Sequence, residues 1–150
     1  MCQLTRSRNS EKKHGEDIES CLALHKALPS LRAVFDPANF IQCGVNTLEA
    51  WSALREYVDY LHIKDALADG TIVPAGKGLG HIPEIIADYS ERGGSVVTLE
   101  PHLKVFSGLS ELEGGETDKV SINTYRTNDE AFDAATSALK GILKSIGGIL

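Results

Sequence analysis

Three residues whose side chains commonly ligate divalent metal ions occupy similar places in the sequence: Asp36, His62 and Glu100. Each lies at or next to the end of a short apolar run, where a buried strand would give way to its loop. The carboxyl ends of parallel strands are where α/β folds gather their reactive groups. Two carboxylates and one imidazole suit a divalent ion, with Mn²⁺ as the first choice and Mg²⁺, Co²⁺ or Zn²⁺ as alternatives.

Each of the three residues also has an ordinary structural explanation. Asp36 precedes Pro37 and could be a turn former or a helix cap. His62 could be a hydrogen-bonded core histidine, and Glu100 could simply pair with Lys64. The hypothesis of a metal site therefore depends on all three residues meeting at one rim of a sheet.

Further polar residues flank these three and could contact a polyol, although solvated loop residues would need no such role: Asn39, Lys64, Asp65 and His102. A glycine-rich stretch at residues 76–80 matches neither the dinucleotide-binding nor the P-loop spacing. Glycines ahead of a helix can cradle an anion such as a sugar phosphate, or can serve a tight bend. The residues leave both interpretations open.

The elements that would position these side chains alternate along the chain. Short apolar runs at residues 31–35, 58–63 and 95–99 predict strands buried on both faces, and hence parallel pairing covered by helices. Right-handed crossovers would put all three strand ends on one rim.

Apolar residues spaced by three and four predict four helices around these strands, the first of which should stop at Pro29. The residues expected on their buried faces are Ile18, Cys21, Leu22, His25, Leu28, Leu48, Trp51, Leu54, Ile82, Ile85, Ile86, Tyr89, Phe132, Ala135, Leu139, Ile142, Leu143 and Ile146. Residues 104–127, rich in glycine, serine and acidic residues, predict a long functional loop or mobile segment before the last helix.

Composition places the chain among ordinary globular domains. Its 150 residues suffice for one domain with a core, and a formal charge of −6 argues against nucleic acid or an anionic membrane as the main partner. No apolar run approaches the ~20 residues of a membrane span. Cys2, Cys21 and Cys43 show no paired spacing, which favours reduced thiols and a cytoplasmic location.

At the candidate ligands the sequence resembles the xylose isomerase-like TIM-barrel family of sugar phosphate isomerases and epimerases. The resemblance rests on four stretches, which are residues 35–40 (FDPANF), 61–65 (LHIKD), 73–80 (VPAGKGLG) and 98–103 (TLEPHL). It covers roughly residues 15–148 and implies the C-terminal half of a (β/α)₈ barrel, an α/β fold. The whole chain, 1–150, would then be a single partial barrel domain in which residues 1–14 match poorly.

The resemblance implies a chemistry for the rim. Asp36, His62 and Glu100 would be three of the family's four metal ligands, and the metal would stabilise an enediolate while glutamates move a proton next to a carbonyl. Glu100 would be one of those glutamates, and Lys77 would lie in the loop above the substrate, a sugar or sugar phosphate.

The sequence departs from the family in length and in one ligand. A complete barrel typically needs ~250 residues, so we expect a barrel truncated at its N-terminus, with open sheet edges that favour a homo-oligomer. The fourth ligand, a glutamate, is expected in the preceding strand. The nearest counterpart, at residues 8–12, places Arg8 there, and Glu11 could serve only in a shifted register.

The residues and the resemblance together leave three candidate functions. The first is a metal-dependent sugar isomerase or epimerase, and the second is a catalytically inactive half-barrel remnant that binds metal or sugar weakly. The third, a phosphodiesterase resembling endonuclease IV, is disfavoured because the chain is acidic and has few rim histidines for a multi-zinc cluster.

Overall fold

The computed structural model describes residues 17–104 and 125–148. Strands and helices alternate around a small parallel sheet. The strands are β1 (Ala33–Phe35), β2 (Val58–Ile63), β3 (Asp65–Ala66), β4 (Ile72–Val73) and β5 (Val97–Leu99), and the helices are α1 (Ile18–Ala27), α2 (Pro37–Gln42), α3 (Thr47–Leu54), α4 (Ile82–Glu91) and α5 (Asn128–Ser145).

The main sheet has the strand order β1-β2-β5, and both pairs of strands are parallel. The register sets Phe35 beside Leu61 and His62 beside Thr98. All three strands therefore end on one rim, which confirms the predicted parallel arrangement. The outer strands are shorter than the apolar runs that predicted them, since pairing begins only at Ala33 and Val97.

One face of the sheet packs against the helices. Phe35 is the centre of this core, because its ring stacks on Phe40 at 4.7 Å and meets the edge of Trp51 at 5.1 Å between ring centroids. Leu61 and Ile63 pack beside it. The apolar residues predicted for the third helix are all buried and join the same cluster: Ile82, Ile85, Ile86 and Tyr89.

Three residues predicted to be buried are instead exposed: Leu28, Leu48 and Phe132. Leu28 lies beyond the last residue of α1, as its C-cap, so it leaves the helical stripe. Leu48 sits in the first turn of α3, whose buried face runs through Ala50, Trp51 and Leu54. In α5 the buried stripe uses small residues, chiefly Ala131 and Ala135, which turns Phe132 toward solvent.

Two short elements were not predicted from the sequence. Helix α2 begins directly after β1, with Asp36 as its N-cap and Pro37 in its first turn. Strands β3 and β4 form an antiparallel hairpin in which Asp65 pairs with Val73. Both elements are shorter than the window needed to recognise a periodic pattern.

Several predictions concern residues outside the described part of the chain. Residues 1–14, with Arg8 and Glu11, lie there, as does most of the predicted loop at 104–127. The N-terminal truncation, the fourth ligand and the single partial domain over 1–150 therefore stay predictions. Within residues 17–104 and 125–148, no helix is both long and apolar enough to cross a membrane.

Candidate metal centre

The structure brings Asp36, His62 and Glu100 together on the rim. Asp36 follows β1, His62 is the next-to-last residue of β2, and Glu100 follows β5. Because β2 lies between the other two strands, its end is adjacent to both of theirs. One potential ligand atom from each residue lies within 4.8 Å of the other two. The convergence expected from the sequence is therefore present.

Asp36 uses its two carboxylate oxygens differently. Oδ1 caps α2 by accepting hydrogen bonds from the N–H groups of Ala38 at 3.0 Å and Asn39 at 3.3 Å. Oδ2 is buried and accepts no hydrogen bond from the described residues. Burial raises the pKa of Asp36 above its ordinary value, against the opposing charge of Lys64. The capping role and the ligand role are compatible, because they require different oxygens.

Glu100 lies between two histidines. Its Oε2 is 3.1 Å from Nδ1 of His62, and its Oε1 is 3.4 Å from Nε2 of His102. The hydrogen bond with His102, together with the charges of Lys64 and the two histidines, lowers the pKa of Glu100 to about 2 despite the cost of burial. The low pKa keeps this carboxylate ionised, and its side chain is 34% exposed although Oε2 itself is buried.

Lys64 is the fourth charged group of the rim. Its side chain is only 6% exposed, and Nζ lies 3.1 Å from Oδ2 of Asp36 and 3.9 Å from Oε2 of Glu100. The contact with Asp36 is a buried ion pair. From the sequence, Lys64 was expected beside the ligands, either as a contact to substrate or as a partner of Glu100. Its position among them has no local signal in the sequence, because Lys64 lies just beyond the last residue of β2.

Asp65 has a structural role instead of the predicted contact with substrate. It is 0% exposed, and its carboxylate accepts hydrogen bonds from the N–H groups of Ala66, Gly76, Gly78 and Gly80 at 2.8–2.9 Å. The prediction that Asp65 binds substrate is therefore not supported by its environment, since its oxygens are directed to the chain itself.

The glycine-rich loop is consequently arranged around an anion that belongs to the protein. A Cβ atom on Gly78 would lie 2.2 Å from the carbonyl oxygen of Ala66, and one on Gly80 would lie 2.6 Å from Oδ1 of Asp65. The glycines are needed so that the backbone can approach this carboxylate. Of the two interpretations left open by the sequence, the tight bend explains why the N–H groups of Gly76, Gly78 and Gly80 all donate to Asp65.

The other predicted substrate-binding residues differ in how close they lie to the three ligands. His102 lies at the site itself, beside Glu100, with a left-handed backbone φ of 41°. Asn39 is half-buried in the first turn of α2 and lines a small cavity together with Asp36. Lys77 is exposed in the glycine-rich loop, and its backbone N–H donates to the carbonyl of Pro74.

The donor set fits a divalent ion. Oδ2 of Asp36 and Oε2 of Glu100 are buried and accept no hydrogen bond from the described residues, so each has a lone pair available to a cation. The imidazole of His62 adds a nitrogen donor to the same cluster. Two carboxylates and an imidazole are ligands that Mn²⁺, Co²⁺ and Zn²⁺ accept.

Comparison with known proteins identifies the fold. No protein-family model and no curated protein matches the sequence. The chain is similar in structure to a xylose isomerase domain protein from Planctomyces limnophilus, solved by crystallography, with a TM-score of 0.58 and 22% sequence identity. The alignment covers 87% of this chain and 45% of that one. The parallel sheet and its helices thus share the fold of part of a xylose isomerase-like barrel.

Proposed function

We propose that the rim is the divalent-metal site of a sugar isomerase or epimerase-like protein. The observation that carries this proposal is the convergence of Asp36, His62 and Glu100 within 4.8 Å, at the ends of three adjacent parallel strands. The structural likeness to a xylose isomerase domain protein supports it. Mn²⁺ is the proposed ion, and a sugar or sugar phosphate is the proposed substrate.

A bound divalent ion would act as a Lewis acid that polarises the substrate carbonyl. Asp36, His62 and Glu100 would hold it. Glu100 is proposed as the proton carrier, because it is ionised, half-buried and accessible from solvent. It would take a proton from the carbon next to the carbonyl and return it, on the same face, to the neighbouring carbon.

The surrounding residues would position the substrate. His102 contacts Oε1 of Glu100, which orients the carboxylate and leaves the imidazole beside the reacting atoms. Asn39 would offer its amide to a sugar hydroxyl. Lys77, exposed in its loop, would supply a positive charge to a phosphate.

A second candidate function is binding of metal or sugar without catalysis. It is favoured by one observation, the low pKa of Glu100. A carboxylate with a pKa of about 2 is an excellent ligand at neutral pH but a weak proton acceptor, whereas efficient general bases have pKa values nearer the working pH. In this case the rim would bind a cation and leave the sugar unchanged.

Deuterium exchange separates the two candidates, because it detects proton abstraction even when turnover is slow. The metal-free protein is incubated with Mn²⁺ and a panel of ketoses and ketose phosphates in D₂O, and deuterium at the carbon next to the carbonyl is followed by mass spectrometry. We expect exchange that requires Mn²⁺ and is lost in His62→Ala. Mn²⁺ binding without any exchange would support the non-catalytic alternative.

We also propose that the protein self-associates through the edges of its sheet. In the described sheet, β1 and β5 are the edge strands, and their backbone groups can pair with another chain. Size exclusion coupled to light scattering, with the exchange assay on each peak, would identify the active species. A nicking assay on DNA is expected to be negative, as the acidic composition predicts.

A further inference from the structure

The buried ammonium group of Lys64 lies between the two carboxylates of the rim and offsets their negative charge. It pairs with Oδ2 of Asp36 at 3.1 Å and faces Oε2 of Glu100 at 3.9 Å. These are the same two oxygens that otherwise accept no hydrogen bond from the described residues. Without a cation, two carboxylates would be held close together with one of them fully buried, an arrangement that is costly in a protein interior.

We propose that Lys64 is an internal counter-cation that occupies the carboxylates of the metal site and competes with the metal for them. This inference rests on the proposed metal-binding function. It assigns Lys64 a positioning role instead of the contact with substrate suggested by its place in the sequence. When a divalent ion takes Oδ2 of Asp36, the ammonium must withdraw from that oxygen, because like charges sharing one ligand repel.

The position of Lys64 just beyond the end of β2 makes this exchange feasible. Its side chain is a flexible chain of four methylenes that can carry the ammonium away from the carboxylates. The rim is therefore preassembled in the metal-free protein, with its negative charge already compensated. The consequence is an affinity for metal lower than the three ligands alone would provide.

The test is the variant Lys64→Met, which keeps the length and apolar stem of the side chain and removes the charge. The matched control is Lys140→Met, which removes a charge from an exposed position on α5. Mn²⁺ binding is measured by calorimetry at neutral pH, and thermal unfolding is followed by circular dichroism with and without Mn²⁺. Neither readout depends on catalytic activity.

We expect Lys64→Met to bind Mn²⁺ at least about tenfold more tightly than the wild type, because the competing charge is gone. Its metal-free form should melt about 5 °C or more below the wild type, and Mn²⁺ should restore the loss. Lys140→Met should match the wild type in both measurements. A folded Lys64→Met with unchanged or weaker Mn²⁺ binding would overturn the proposal.

A second measurement keeps the proposal testable if Lys64→Met does not fold. Lysine side chains of the wild-type protein are acetylated with and without saturating Mn²⁺, and the modification of each lysine is followed by peptide mass spectrometry. Lys64 should be protected in the metal-free protein and should react faster with Mn²⁺ bound, while Lys140 should not change. Reaction at Lys64 that is equal or slower with Mn²⁺ would show that the ammonium does not withdraw.

These outcomes are independent of the proposed catalysis. Tighter binding in Lys64→Met, with no deuterium exchange into any sugar, would leave the counter-cation inference standing and remove the isomerase. Deuterium exchange by the wild type, with unchanged Mn²⁺ binding in Lys64→Met, would support the isomerase and remove the counter-cation inference. Mn²⁺ binding by neither protein would overturn the competition, and the metal-free melting temperatures would still show whether Lys64 compensates the carboxylates.

Discussion

Two buried aspartates near the rim of the sheet are used in different ways. Asp65 is completely enclosed, and four backbone N–H groups donate to its carboxylate. Asp36 is almost as enclosed, but only Oδ1 receives N–H groups, while Oδ2 faces the ammonium of Lys64 and the other candidate ligands.

The difference shows how to distinguish a structural carboxylate from a ligand. Buried polar groups are almost always satisfied, and a carboxylate satisfied by backbone donors on both oxygens has no capacity for a substrate or a metal. A buried oxygen that the main chain leaves without a donor has that capacity. By this criterion Asp65 holds the glycine-rich loop, whereas Asp36 uses one oxygen to cap α2 and has the other available for a metal ion.

The largest effect should follow the loss of the Asp65 carboxylate. In Asp65→Asn an amide NH₂ group faces the loop donors, so the free energy of unfolding should fall by about 3–5 kcal/mol, since each buried donor left without an acceptor costs about 1–3 kcal/mol. Urea denaturation measures it. Asp69→Asn, the same change at an exposed position, should cost less than about 1 kcal/mol. Equal effects in the two variants would contradict the comparison.

Glu100→Gln should remove function while leaving the fold intact. The change keeps the size of the side chain and removes its charge and basicity, so any isomerase or epimerase activity should fall by ~10²-fold or more. Deuterium exchange into the sugar is the readout. Glu91→Gln, at the exposed end of α4, should retain full activity. Exchange at the wild-type rate in Glu100→Gln would place the proton transfer on another residue.

Asp36→Asn should distinguish the roles of the two carboxylate oxygens of Asp36. The amide oxygen can still cap α2 in the place of Oδ1, but the amide NH₂ group would then face the buried ammonium of Lys64. The metal-free protein should therefore lose stability, and the charge offered to the metal is gone. Mn²⁺ affinity should fall at least about tenfold, measured by calorimetry beside the urea titration. Mn²⁺ binding as tight as in the wild type would remove Asp36 from the metal site.

Gly78→Ala tests how closely the loop must approach Asp65. Its new methyl group would meet backbone and a buried carboxylate at 2.2–2.4 Å, so the loop must shift, at a cost of about 1–3 kcal/mol in unfolding free energy. Gly141→Ala lies in α5 with nothing within 4 Å of the new atom, and should stabilise by about 0.5–1 kcal/mol. Thermal melting should show a lower melting temperature than the wild type for Gly78→Ala and a higher one for Gly141→Ala.

Acidification should have the smallest effect. The pKa of Glu100 in the folded protein, about 2, lies below its ordinary value of 4.5, so Glu100 stabilises the fold above pH 4.5 and loses this contribution as the pH falls toward 2. The pKa of Asp36 is raised, so its protonation acts in the opposite direction. Glu100→Gln should therefore lose less stability than the wild type between pH 4.5 and pH 2 in urea titrations. An identical slope would show that Glu100 titrates normally.

Much of the architecture was predictable because it depends on local pattern. The apolar runs identified three parallel strands, and the spacing of apolar residues identified four helices with mostly correct buried faces. The convergence of Asp36, His62 and Glu100 followed from strand ends and chain order, since parallel strands joined by right-handed crossovers must end on one rim. The errors at Leu48 and Phe132 concern only how each helix is rotated against its neighbours, which periodicity does not define.

The order of residues along the chain therefore determined which side chains meet at the rim. Only the tertiary structure decided which hydrogen-bond and charge partners each of these side chains has. Nothing in the stretch LHIKD distinguishes Asp65, turned into the loop, from Lys64, turned toward the ligands. That distinction depends on contacts between residues far apart in sequence, because Gly76 and Gly80 close over Asp65 while Asp36 and Glu100 approach Lys64 from two other strands. Hydrogen bonds and charge pairs act over a few ångströms in space, so their partners are known only when the sheet has been assembled.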